Sequence, residues 1–233
     1  IAIATMLKSG SVPKRKTSPL AAFRGLRHPS LLSFGLIAIF YNMAFFVILA
    51  VSPYPLGFGA LGIGLTFCGW GIGLAITSVF AAPTLTARFA RTQVVGAGLA
   101  ALLVITLLAV FLQQYVPVLI ALIVLSGLVL GIMNTVLTES SMESTDLPRP
   151  VASSAYSGIR FLGGAMAPPF ASALGQSFGW SWAYVFGAAA LVVALVLFFS
   201  LRGPLSAANK RHPEQSDEDR ALEEAEALIG DAD

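Results

Sequence analysis

Carboxylates are missing where this chain is most apolar. Between Leu31 and Leu201 the charged side chains are Arg88, Arg91, Glu139, Glu143, Asp146, Arg149 and Arg160, and no Asp or Glu lies well inside a long apolar run. Paired buried carboxylates for acid–base chemistry are thereby excluded. Cysteine occurs once, as Cys68, which rules out a disulfide framework and a Cys-rich metal site. Both histidines, His28 and His212, fall in the polar segments at either end, so the apolar runs hold no Ser–His, Cys–His or His-ligated metal arrangement. Enzyme chemistry, a metal and a cofactor are therefore not expected, and nucleic acid is not an expected partner.

What the chain has instead is length of apolar sequence. Hydrophobic residues make up 56% of it and charged residues 11%, with a mean hydropathy of +0.81, a balance that belongs to membrane proteins. Six apolar runs, near 31–51, 60–83, 93–112, 117–138, 151–175 and 180–201, are each long enough to cross about 30 Å of hydrocarbon as a helix. Three of the connections, Ser52 to Gly59, Gln113 to Pro117 and Gln176 to Gly179, carry no Lys or Arg. The other set carries Lys14, Arg15, Lys16, Arg24 and Arg27, then Arg88 and Arg91, then Arg149, then Arg202, Lys210 and Arg211. By the positive-inside rule this set faces the cytoplasm. The expected fold is an all-α membrane protein, a six-helix transmembrane bundle in the plasma or inner membrane with both ends cytoplasmic.

The division along the chain follows. Residues 1–7 read as the end of a truncated preceding helix, and the Pro-broken basic stretch 8–30 as a cytoplasmic linker. Residues 31–202 form the bundle, and 203–233 a polar, acidic cytoplasmic tail without fixed structure. Tyr54, Tyr115, Phe178, Trp180 and Trp182 gather at the outer ends of the runs, where amphipathic rings favour the headgroup layer. The second run is crowded with Gly62, Gly64, Gly69, Gly71 and Gly73, which suits close helix packing. The fifth holds Gly158, Gly163 and Gly164 before Pro168 and Pro169, and the prolines predict a kink. The third and sixth, nearly pure Leu, Val, Ala and Phe, are assigned to the lipid side. Gly57-Phe58-Gly59-Ala60-Leu61-Gly62 matches the dinucleotide fingerprint in letters only. No strand precedes it, so it is read as a loop and a helix-packing segment.

Arg160 is the basic residue set deepest in a run, about 13 Å in if the helix starts near Val151. A central Arg costs on the order of 3 kcal/mol on insertion scales, so it either snorkels to the headgroups or faces a partner or a wet cavity. Tyr156 stands one turn before it. Glu139 and Glu143 mark the inner end of the fourth run, where they can pair with Arg88, Arg91 or Arg160 or relay protons. In the fourth run Asn134 shares a helical face with Gly127, Gly131 and Thr138. In the first, Tyr41, Asn42, Phe45, Phe46 and Leu49 form a mixed polar and aromatic stripe. Both stripes fit either a cavity wall for an apolar or aromatic molecule or helix-to-helix contact.

Ala87-Arg88-Phe89-Ala90-Arg91, between the second and third runs, resembles a degraded copy of the basic loop of the major facilitator superfamily, with alanines where Asp and Gly would stand. Pro148-Arg149-Pro150-Val151-Ala152-Ser153-Ser154-Ala155-Tyr156, followed by Arg160-Phe161-Leu162-Gly163-Gly164-Ala165 and Pro168, resembles the penultimate helix of bacterial drug:proton antiporters in that superfamily. The resemblance covers residues 1 to 202. It implies the C-terminal half of a twelve-helix transporter working by alternating access. The first and fourth spans would line the cavity, and the second and fifth would meet a missing N-terminal six-helix half or a second copy. The implied function is proton-coupled export of small, apolar or drug-like compounds. Tyr41, Asn42, Phe45, Phe46, Asn134 and Tyr156 would be at the substrate, and Arg88, Arg91, Glu139, Glu143 and Arg160 at a cytoplasmic gate. A carrier of sugars or other metabolites is the rival within the class, and a non-transporting membrane anchor or assembly module the rival outside it.

Overall fold

The computed structural model describes residues 29–145 and 147–201. The expected truncated helix end, nearly all of the linker with His28, and the tail with His212 lie outside the described residues. Within them the chain is helical, with no strand: α1 Pro29–Val51, the single turn α2 Pro53–Leu56, α3 Ala60–Ile76, a π-helical turn Thr77–Ala81, α4 Ala82–Arg88, α5 Arg91–Leu112, α6 Val116–Glu143, α7 Arg149–Phe178 and α8 Trp180–Ser200. Pro29–Leu56, Ala60–Arg88, Arg91–Leu112, Val116–Glu143 and Trp180–Ser200 are long and apolar enough to cross a membrane. At 30 residues α7 has the length, about 45 Å. Its serines, Arg160 and Gly and Pro pairs make it more polar than the others.

Local chemistry explains the boundaries. Pro53, Pro83, Pro117 and Pro150 each stand in a first helical turn, where a missing N–H costs no hydrogen bond. Gly57 turns the chain out of α2 with φ 62°, a left-handed conformation that suits glycine, so the fingerprint-like segment is indeed a loop and a helix start. Helix α7 stays helical through Pro168 and Pro169 to Phe178. The two prolines leave the carbonyls of Gly164 and Ala165 without their helical donors. A membrane helix tolerates that when it is packed against neighbours, as α7 is against α1 and α8.

The second span holds a feature absent from the expectations, a π turn. The Ala82 N–H bonds the Thr77 carbonyl, and one extra residue is accommodated. The Thr77 hydroxyl donates to the carbonyls of Gly73 (2.9 Å) and Leu74 (3.2 Å), which keeps the loosened ladder satisfied. Gly131 of α6 makes room: a Cβ there would collide with Thr77 Oγ1 and the Leu74 carbonyl. Ser78 and Thr135 add a 2.6 Å hydroxyl contact across the same seam.

Helix α1 sits at the centre of the packing, against α7 and α8 over most of its length, while α6 packs on α3 and α5, and α5 on α8. Of the most apolar stretch of the first span 61% is buried, against only 17% for the second. The second span therefore turns most of its surface away from this bundle, with Leu61, Leu65, Ile72, Ile76, Val79 and Phe80 exposed. The third and sixth spans also expose apolar rows, Val104, Leu107, Leu108 and Phe111, and Val192, Val193, Val196 and Phe199. At the α1–α2 end of the bundle Tyr54 stacks on Trp180 (4.0 Å), and Ser52 and Tyr184 share a buried 2.9 Å hydrogen bond.

Candidate functional site

The α1–α7 seam places the site. Gly163 of α7 lies directly against the backbone of Ile39 in α1, where a Cβ would overlap the Ile39 carbonyl. That contact brings the polar stripe of α1 beside Arg160. Asn42 Nδ2 donates to the Arg160 carbonyl at 2.9 Å, so α1 is tied to the backbone of α7 at the arginine itself. From α6, Asn134 Oδ1 then accepts twice: from Tyr41 OH at 2.9 Å and from Arg160 Nη1 at 3.1 Å. One amide oxygen thus links three helices. The guanidinium carbon lies 4.8 Å from the Phe161 ring centroid and 5.8 Å from that of Tyr156, distances at which ring faces attract a cation. Arg160 is 11 residues into α7, about 16 Å along its axis.

Of the expected site residues, Tyr41, Asn42, Asn134, Tyr156 and Arg160 come together here. Tyr41, Asn42 and Tyr156 are buried within the bundle, while Asn134 and Arg160 are partly exposed. The tyrosine and asparagine of α1 therefore hold Asn134 and Arg160 from behind rather than presenting themselves at the surface. Phe45 and Phe46 continue the site one turn further out, their rings edge to face at 4.8 Å. Phe46 and Asn42 also close over Gly164, where a Cβ would meet both side chains.

Trp70 belongs to this wall and was not anticipated. Its ring stacks on Phe45 at 5.5 Å with an 11° angle between planes, and its indole Nε1 is buried without an acceptor. The available signal was a lone indole between Gly69 and Gly71 in the middle of a span, a donor that normally finds a partner when buried.

The five residues placed at the inner end divide differently. Arg91, at the start of α5, pairs with Glu143 at the end of α6. Glu139 and Arg88 are exposed, and neither forms an ion pair among the described residues. Arg160 does not join them; its guanidinium is bonded to Asn134. A separate apolar cavity of about 480 Å³ lies between α4, α5 and α6, lined by Leu85, Phe89, Gln93, Val94, Val129 and Ile132 among others, and none of the expected site residues lines it.

A multi-pass helical membrane bundle with a polar cluster at the crossing of its first, fourth and fifth spans defines a class of integral membrane proteins. Sequence comparison gives it a family. The profile of the Major Facilitator Superfamily matches residues 16–230. The Bacillus subtilis (strain 168) protein called "Multidrug efflux protein YfmO" is 34% identical over 212 residues, covering 91% of this chain and 54% of that protein. The chain belongs to the major facilitator superfamily, and its fold is that of a half of the family's helical bundle. It spans about half the length of the curated relative it matches. Family and relative both point to a transporter rather than an enzyme.

Proposed function

We propose that this chain is the C-terminal six-helix half of a secondary active transporter that exports small, largely apolar or drug-like compounds in exchange for protons. The observation that carries the reading is the Tyr41–Asn134–Arg160–Asn42 cluster, with Asn134 and Arg160 partly exposed beside an aromatic wall of Phe45, Phe46, Trp70 and Phe161. A few oriented polar groups among large apolar surfaces are what binding of a mostly apolar molecule requires. The relative's printed name, multidrug efflux, supports the direction and substrate range. The arginine-bearing connections, set at the ends opposite Tyr54 and Trp182, support a cytoplasmic orientation of both ends.

In this reading Asn134 and Arg160 meet the substrate, and Tyr41, Asn42 and Tyr156 fix their geometry. Arg91 and Glu143, with Arg88 and Glu139 near them, form the cytoplasmic gate. The exposed apolar rows of the second and fifth spans meet a second six-helix half. No carboxylate is available deep in these spans, so the proton-carrying group belongs to that other half or is Glu139.

Inside-out membrane vesicles from cells expressing the native polypeptide test this directly. A fluorescent apolar dye should accumulate on energisation and leave on addition of a protonophore. Cysteine at Asn134, in a background where Cys68 is replaced by Ala, should react with a soluble thiol reagent and be protected by the dye. An Asn134→Cys protein that stays unreactive in every condition would mark the cluster as buried helix contact and sink the reading.

A further inference from the structure

The cluster is chemically one-sided. Arg160 brings a positive charge to a depth where no carboxylate lies in any span among the described residues. Its partners are all neutral: the Asn134 amide oxygen and the faces of Tyr156 and Phe161. The Asn134 oxygen already accepts from both Tyr41 and Arg160. Meanwhile Arg160 Nε and Trp70 Nε1, two of the five buried side-chain polar atoms without a partner among the described residues, belong to the cluster and its wall. The site has donors and a cation to spare and its central acceptor is taken. A charge so placed wants an opposite charge, because neutral amides and rings replace only part of its lost hydration.

We infer that the compound carried at this site is an apolar acid: an aromatic or aliphatic body with one carboxylate-type anionic group, which Arg160 binds. This rests on the transport reading and narrows its substrate class. The anionic head would meet the partly exposed Arg160 side chain, while Phe45, Phe46, Trp70 and Phe161 receive the apolar body. Charge-assisted bonds from a guanidinium to a carboxylate are stronger than bonds between neutral partners and select against a cation directly. Through its bond to the Asn134 oxygen, Tyr41 acts as a positioning residue, and Asn134 in turn holds the guanidinium across the seam instead of letting it snorkel toward the headgroups.

The test uses the native polypeptide in proteoliposomes and three probes with one aromatic body: pyrenebutyrate, pyrenebutyramide and pyrenebutylamine. Equilibrium binding should favour the acid over the amide by at least about tenfold, the amount that roughly 1.4 kcal/mol of charge pairing confers, and the amine should bind most weakly. Arg160→Gln should abolish the preference for the acid, binding acid and amide alike, and its melting temperature and elution profile in detergent report whether the variant is folded. Arg160→Lys should keep the preference for the acid. Equal binding of acid and amide by the native protein, a preference for the amine, or an acid preference that survives Arg160→Gln would each overturn the inference, the last by placing the acid on a cation other than Arg160. Gradient-driven uptake of the amide without acid preference would overturn only the substrate class. Acid-selective binding with no driven uptake of any probe would overturn only the transport reading.

Discussion

Two arginines at two depths show how differently this chain handles charge. Arg91 sits at the start of α5 and meets a carboxylate, Glu143, with both side chains partly exposed, at 18% and 30%. Arg160 lies about 16 Å along α7 and meets an amide, two rings and a backbone-tied asparagine, but no carboxylate. The first arrangement joins two helices near water, where charge pairing is cheap and contributes little. The second occupies a seam built by backbone contact at Gly163, and it leaves hydrogen-bond donors unspent. A charge that is matched locally is explained by the structure around it; one that is left unmatched points to something that arrives.

The contrast can be broken in graded steps. The largest effect should come from Gly163→Val, which drives a side chain into the Ile39 carbonyl and separates α1 from α7. Overpacking of this kind costs about 3 kcal/mol or more, so the melting temperature in detergent should fall steeply and transport should vanish. Next comes Arg160→Gln set beside Arg91→Gln. Transport of the preferred substrate should drop by at least about tenfold in the first and by less than about fivefold in the second, because a partly exposed pair is worth at most about 1 kcal/mol. Equal losses in the two would erase the distinction drawn here.

Smaller than the Arg160→Gln loss is that of Tyr41→Phe, which removes one of the two bonds on the Asn134 oxygen without changing shape. A neutral hydrogen bond contributes about 1 kcal/mol, so substrate binding should weaken roughly fivefold while expression stays normal. The smallest shift belongs to Glu143→Gln, below about 1 kcal/mol in a thermal melt. Exchanging the pair, Arg91→Glu with Glu143→Arg, should restore most of even that loss.

Five of the six expected crossings were legible in the sequence because length and hydropathy alone specify them, while α7, more polar, was legible by its length; the structural ends fall within a few residues for most. The second and fourth spans extend further at their C-terminal ends, to Arg88 and Glu143. Which way each helix faces was harder to read. Helices α1 and α8 are apolar on every side, so no periodicity marks the buried face, and only polar residues hint at it. The stripes of Tyr41, Asn42 and Asn134 stood out for that reason, and the structure bonds Tyr41 to Asn134. Arg160 was placed with Glu139 and Arg88 because opposite charges attract at a distance. The structure brings it to Asn134, since the Gly163 contact and the Asn42 bond set the rotation of α7. Trp70 and the π turn left almost no trace, the first hidden in a glycine-rich run and the second made by ordinary residues.

That π turn bears on how the second span tolerates changes of length. A deletion inside a membrane helix ordinarily rotates everything beyond it by about 100° and strands its polar ends. Between Thr77 and Ala81 the helix already holds one residue more than regular winding needs. Removing Ser78 or Val79 would let the span wind as an unbroken α-helix, with the Arg88 end nearly unrotated and shifted by little. The second span thus contains one position at which the protein can lose a residue and keep its register, and such a site is where lengths would be free to diverge among related chains.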